Sequence, residues 1–561
     1  MARHHGSCDQ AMRCFLPDAD NELINQYQRE REMRFKKALS MLSKSSPYAV
    51  STAGENIDPQ FQMIKDYLYV ETYIERTFKR KLDNFSSNEI IFLCGSSGDG
   101  KSEILTRCKK EYEEWVDFHL DATHSFKPDA TAVETLDDIF TQFNSSNRPL
   151  VVGVNVGMLG NYEKEGNSIH ADIRSAIKGF LNGDLLIGNY TFINFESFPK
   201  FEIAGGKVSS DLFDSLLNKI VVDDSRNPFR DLFNKATTRE KDKQLIANYL
   251  LLRERPVRKI IVELLLCARI KKDQFITTRM LLDFIYCVLT GPGYLFDNVF
   301  GGGDNEILTV MADFDPSIVR NKKLDLFVIH RTLKFEDSSY SEFINQLALK
   351  FKIDDDLSPS SMIRCFYLLK NSNFECNYHY EFRGSFNEES LELYKSIWQL
   401  HKDFTGDAEG KAKLKPFYND VVLLEINKYA NRNAPHLSKD EFYISSHGNC
   451  ELAAEVDIAI SYPLIKSDDL KDISEFNLHI NVNDEQLASV PINVNLVSMM
   501  MDIVNGFRPN KHDKNSVVLL DDLVNKITQH ANSSKVLFLY GNNKRIKLKD
   551  NSDGDIRVSN I

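Results

Sequence analysis

The sequence predicts an α/β protein built around a doubly wound parallel sheet, with a helical lid, a helical middle region and an α+β C-terminal domain. Three observations carry that expectation. An apolar run, Ile90-Ile91-Phe92-Leu93-Cys94, ends in a glycine-rich turn that opens a helical stretch. Strand-like apolar runs and helical segments then alternate, the rhythm of parallel β-α-β units. Past residue 438 the apolar spacing shortens from helical to alternating or β-branched. The boundaries this suggests are 1–85 (helical, charge-rich), 86–210 (sheet core), 211–290 (lid), 291–437 (helical middle) and 438–561 (α+β). A length of 561 residues suits that division, since a domain takes roughly 100–200 residues.

Composition narrows the function classes. Apolar residues make up 42% and charged residues 27%, which fits a soluble globular protein and excludes disorder as the main state. With 69 Lys plus Arg against 81 Asp plus Glu, the net charge is −12. A chain of that sign does not coat nucleic acid by bulk attraction, so any DNA contact comes from a local patch. The apolar runs Ile260 to Ala268 and Leu281 to Leu289 are broken by Glu263 and Asp283 and fall short of the ~20 residues needed to span a bilayer. The amino terminus has basic residues but no apolar h-region, so it does not read as a secretory signal. The nine cysteines are odd in number and contain no C-x-x-C pair, against both a disulfide framework and a zinc ribbon. The expected compartment is the cytoplasm, with no membrane partner.

The turn after the first strand is Gly95-Ser96-Ser97-Gly98-Asp99-Gly100-Lys101-Ser102, followed by Glu103 and a helical run to Tyr112. This is G-x-x-x-x-G-K-S in its strand–loop–helix setting, the signature of a phosphate-binding loop, and it makes the expected core an AAA-like P-loop NTPase. Glycines let the backbone close around phosphate oxygens, and the amides from Ser97 to Ser102 gather at a helix N-terminus that favours anions. The motif assigns ATP to residues 95–103, Lys101 to the β- and γ-phosphates, and the Ser102 hydroxyl to Mg²⁺.

The segments that follow supply the remaining candidates. Val116 to His124 reads as a strand, Thr135 to Phe143 as a helix and Pro149 to Gly157 as a strand buried on both faces. A helix over Ile169 to Leu181 and a strand over Thr191 to Glu196 complete the series. Hydrolysis needs an acid at a strand end, and two compete: Asp121, which is also a natural turn former, and Glu196. No segment carries the plain four-apolar-then-Asp-Glu pattern of a Walker B strand. Asn155 ends a buried strand, either as a γ-phosphate sensor or as a helix cap. In the lid, Arg279 sits just inside a helix that starts at Thr277 or Thr278, either as a second sensor or on a solvated face.

Elsewhere the signals are weaker. Arg29, Arg31, Arg34, Lys36 and Lys37 alternate with Glu30 and Glu32, which reads as a solvated helix face. Gly291-Pro292-Gly293 and Gly301-Gly302-Gly303 punctuate the chain, and residues 321–325 and 406–413 read as loops in the helical middle. Near the end, Val536 to Tyr540 and Lys544 to Leu548 flank Gly541-Asn542-Asn543 as a hairpin. Alternation puts Arg545, Lys547 and Lys549 on one strand face, as phosphate contacts for DNA or as the lysine guard of an edge strand.

The segments from Phe92 to Glu103, from Asp121 to Pro128 and from Val154 to Tyr162 resemble the DptF family of DNA phosphorothioation-dependent restriction proteins, over a chain of similar length. The resemblance implies a cytoplasmic ATP-binding component of a bacterial restriction system that attacks unmodified DNA together with the companion proteins DptG and DptH. Cleavage need not reside in this chain. No PD-(D/E)xK run, HNH cluster or HKD motif stands in it.

Overall fold

A computed structural model of the protein describes residues 34–46, 58–122, 131–146, 148–237, 242–470, 472–509, 514–531, 534–541, 544–550 and 555–560. The Arg29/Arg31 cluster, residues 123–128 of the second family-like segment and the Asn542-Asn543 turn lie outside them.

The architecture is mixed α/β with a sheet of mainly parallel strands and many helices. In chain order the sheet unit runs β1 (Ile90–Cys94), α1 (Lys101–Tyr112), β2 (Asp117–His119), α2 (Ala132–Ser145), β3 (Leu150–Val154), α3 (Val156–Glu165), α4 (Ala171–Leu181), β4 (Leu186–Ile187) and β5 (Tyr190–Asn194). Their spatial order is β2-β3-β1-β5-β4. β1 pairs in parallel with β3 (Ile90 opposite Leu150) and with β5 (Ile90 opposite Tyr190), β2 is parallel to β3, and β4 is an antiparallel edge. Every residue of β1 and β3 is buried. The alternation of strand side chains shows why. Ile90, Phe92 and Cys94 enter one apolar cluster with α2, α3 and α4, while Ile91 and Leu93 enter another with α1 and the helix Tyr73–Leu82. Helices thus cover both faces.

Local chemistry fixes the helix starts. Thr131 and Glu134 form a capping box at α2, the Thr131 hydroxyl accepting from the Glu134 N–H (3.2 Å) and the Glu134 carboxylate from the Thr131 N–H (2.7 Å). The hairpin of Glu202–Ala204 and Lys207–Ser209 follows β5. Helices then dominate from Asp211 to Ala430, among them α5 (Thr278–Thr290), capped by the Thr277 hydroxyl (3.2 Å from the Met280 N).

Two expected loops are helical. Asn321 is the N-cap of the helix Lys322–Thr332, accepting from the N–H groups of Lys323 and Leu324 (3.1 and 3.0 Å), and Asp407 caps the helix Ala408–Pro416. In both places the polar cluster marked a helix start. Beyond residue 438 an antiparallel sheet has the order β10-β9-β8-β7-β6 for β6 (Glu441–His447), β7 (Cys450–Glu455), β8 (Val536–Gly541), β9 (Lys544–Asp550) and β10 (Ile556–Asn560). Among the described residues no helix is long and apolar enough to cross a membrane.

Candidate functional site

The carboxyl ends of the parallel strands gather the sequence-predicted residues on one edge of the sheet. The turn from Gly95 to Gly100 leaves β1, and Asn155 follows β3 directly. Asp121 follows β2, whose path beside β3 is extended by a 2.9 Å hydrogen bond from the Ala122 N–H to the Gly153 carbonyl. β3 therefore stands between the strand carrying Asp121 and the strand carrying the glycine-rich turn. Such an edge, next to a strand crossover, is where open α/β sheets bind ligands.

The turn itself depends on its glycines. Gly98 and Gly100 have φ of 86° and 101°, a region that L-residues adopt only with strain. Gly100 is the left-handed N-cap of α1, so the first α1 amides face the loop interior. Lys101 folds its ammonium back into the turn, donating to the carbonyls of Gly95 (2.5 Å) and Ser96 (2.7 Å). Burial lowers its pKa, against the raising effect of the negative charges of Asp99 and Asp121. Ser102 is exposed on the first turn of α1.

Asp99 is the least expected member of the loop. Its side chain is 0% exposed. One carboxylate oxygen accepts from the Ser96 N–H (2.8 Å), and the other from the Lys200 ammonium (2.9 Å). Glu103, placed with the nucleotide-binding residues by the motif, turns its side chain elsewhere. It pairs with Lys65 (2.9 Å) and Arg107 (2.8 Å), tying α1 to the helix Pro59–Leu68. Only its backbone is available to the loop.

The two candidate acids part company. Asp121 is exposed and near enough to Lys101 for its charge to be felt there. Glu196 is not on a strand: it lies in the short 3₁₀ turn Phe195–Ser197 after β5, its N–H bonded to the Asn194 side chain (3.2 Å). Its charge is felt at Cys94, and its side chain lines a cavity of about 370 Å³ with Phe198, Lys200, Arg269, Phe275 and Asp472. The Asn155 side-chain oxygen accepts from the Met158 N–H (2.6 Å) and so caps α3. A sensor role would use the amide nitrogen, so the two roles do not compete for an atom.

The start of α5 reaches the glycine-rich turn. The Arg279 N–H donates to the Gly98 carbonyl (3.3 Å), and a Cβ at Gly98 would lie 3.1 Å from the Thr277 hydroxyl and 3.2 Å from the Arg279 Cβ. Arg279 thus sits on the first turn of α5 against the glycine-rich turn. Lys200, which sequence reasoning missed, joins the same junction: it also donates to the Ile276 carbonyl (2.9 Å) and lies 4.1 Å from the centre of the Phe275 ring. No local pattern marks it, because its partners lie 101 and 76 residues away along the chain.

The C-terminal basic stripe is largely committed. Arg545 pairs with Glu441, which is 2% exposed and also accepts from the Tyr540 hydroxyl (2.6 Å). Lys547 lies 3.6 Å from Glu455, and Lys549 is exposed. β9 has neighbours on both sides, β8 and β10, so the edge-guard reading of these lysines does not hold; β6 and β10 are the edges. Comparison with known proteins finds no family model, no characterised protein and no solved structure that matches this chain.

Proposed function

We propose that this protein binds ATP with Mg²⁺ at the carboxyl edge of its parallel sheet, as the P-loop ATPase component of a phosphorothioation-dependent DNA restriction system. It would act in the cytoplasm against unmodified DNA, with companion subunits of the DptG and DptH kind. The observation that carries the nucleotide reading is the loop from Gly95 to Ser102. Its positive-φ glycines, the first α1 amides and the Lys101 ammonium stand together in one turn, with Asp121 and Asn155 after the strands β2 and β3 beside it. The restriction context rests on the three family-like segments.

The residues present suit the ligand. The Lys101 ammonium, held at two loop carbonyls, is the positive charge that would counter phosphate charge. The Ser102 hydroxyl and the Asp121 carboxylate are the groups that would hold Mg²⁺, which would neutralise phosphate charge when bound. Asp121 is favoured as the residue that orients the attacking water, because its charge, unlike that of Glu196, is felt at Lys101. Arg279, on the helix that touches Gly98, would report phosphate occupancy to the lid.

A second reading has its own support. Glu441 and Glu455 neutralise two of the three stripe cations, and the net charge is −12. This favours a nucleotide-regulated scaffold or signalling ATPase with little hydrolysis and no direct DNA contact. ATP turnover by the purified chain, with and without duplex DNA, separates the readings. DNA-stimulated turnover supports the restriction ATPase, and DNA-indifferent turnover or tight binding without turnover supports the second reading. No ATP binding at all sinks both.

A further inference from the structure

We propose that Lys200 is a positioning residue of the nucleotide site. It cancels the negative charge that Asp99 places inside the phosphate loop, and it ties that loop to the segment leading into α5. The proposal rests on the nucleotide reading above and extends it to a residue outside the motif.

A phosphate-binding loop concentrates N–H dipoles on an anion. A carboxylate in its interior works against that purpose, because it competes for the same amides and repels the incoming phosphates. Asp99 is such a carboxylate, fully buried and already holding the Ser96 N–H at 2.8 Å. An uncompensated buried charge of this kind is strongly unfavourable. Lys200 supplies the opposite charge at 2.9 Å, and its own side chain is 20% exposed. The pair turns Asp99 from a repelling group into a brace: one oxygen fixes the Ser96 backbone, and the other is fixed by the lysine.

The same ammonium reaches past the loop. It donates to the Ile276 carbonyl at 2.9 Å and lies over the Phe275 ring at 4.1 Å. Ile276 immediately precedes Thr277, the cap of α5. One further contact joins the same elements, the Arg279 N–H to the Gly98 carbonyl, and a Cβ at Gly98 would come within 3.1 Å of the Thr277 hydroxyl. The latch between phosphate loop and lid thus has one backbone hydrogen bond and a charge-assisted strut, and Lys200 is that strut. A change in the loop on phosphate binding therefore moves the groups that hold the start of α5.

An ordinary structural ion pair would give the same geometry, so the test reads charge at the nucleotide site and not stability alone. Affinities of the full chain for ATP, ADP and adenosine are measured with Lys200→Met, Lys200→Arg and the double variant Asp99→Asn/Lys200→Met, each checked for native secondary structure by circular dichroism. Lys200→Met is expected to weaken ATP at least ~10-fold, ADP by less and adenosine not at all, because the penalty scales with ligand charge. Lys200→Arg keeps the charge and is expected to bind within ~3-fold of the parent. The double variant, which removes the buried charge along with its partner, is expected to recover most of the lost ATP affinity. Equal ATP affinity for Lys200→Met and the parent overturns the proposal. So does an equal loss for adenosine, or a double variant no better than the single one. Failure of the parent to bind ATP overturns the nucleotide reading itself and this proposal with it.

Discussion

Replacing Glu425 by Gln should remove a pH dependence of stability that the wild-type chain carries. Glu425 lies in the helix Leu424–Ala430, directly after a π-helical turn at Phe417–Leu423, and is 0% exposed. Among the described residues, neither carboxyl oxygen has a hydrogen-bond partner. Burial pushes its pKa up to about 8 from an ordinary 4.5. Between those values the folded state holds a proton that the unfolded state has released, so stability falls as pH rises. It is complete below about 4.5 and lost progressively as pH climbs to about 8. At ~1.36 kcal/mol per pKa unit, about three units between pH 5 and pH 8 correspond to roughly 4 kcal/mol. Gln keeps the size but cannot ionise, so the stability difference between variant and parent should widen in favour of the variant by that order over this pH range. Trp398 reports on the right region, because its helix packs against Val494–Val504, which in turn packs against the helix of Glu425. Urea unfolding followed by Trp fluorescence at pH 5, 6, 7 and 8 makes the measurement. A variant-minus-parent difference constant to within about 0.5 kcal/mol across the series would mean that Glu425 is ionised or solvated in the fold.

Two further predictions concern the assignments of site and surface. If the chain turns over ATP, Asp121→Asn should cut the rate at least ~10²-fold with nucleotide binding retained, while Glu196→Gln should act by less than ~3-fold; parent-like turnover in Asp121→Asn shows that the acid lies elsewhere. Arg545→Ala should destabilise the C-terminal sheet by roughly 2–3 kcal/mol, because it removes the counter-charge of the buried Glu441 carboxylate, which keeps only its neutral donors Tyr540 and Ser438. Lys549→Glu, on an exposed side chain, should cost under ~0.5 kcal/mol. Any DNA binding lost in the first variant and kept in the second is then a folding effect, which denaturation curves run beside a gel shift would show.

Much of the sheet was legible because its signals are local. Buried parallel strands read as apolar runs, the glycine-rich turn names its own geometry, and Thr277 announces the start of α5. The misreadings arose where a local pattern has two physical meanings. Asn321 and Asp407 stand in polar, turn-like stretches, yet a short polar side chain that favours a turn is equally an N-cap, and the helices that follow decide between them. Alternation in Lys544 to Lys549 showed the two faces of a strand but not its neighbours; pairing with β10 makes it an interior strand. Glu103 carries the right position for the motif but the wrong direction, because Lys65 and Arg107 claim its carboxylate. Lys200 could not be found at all. Its contacts with Asp99 and Ile276 come only from the fold.

In the nucleotide reading proposed above, Lys101 meets the phosphates of bound ATP. Isothermal titration of ATP–Mg²⁺ into the parent and into Lys101→Ala tests it most directly. The side chain reaches the loop carbonyls of Gly95 and Ser96 from the half-buried start of α1, so its truncation should leave the fold intact by circular dichroism. Saturable ATP binding by the parent is expected, with a loss of at least ~100-fold in affinity for the variant, the scale of a lost preorganised charge on phosphate. A folded variant that binds ATP as tightly as the parent would contradict that reading.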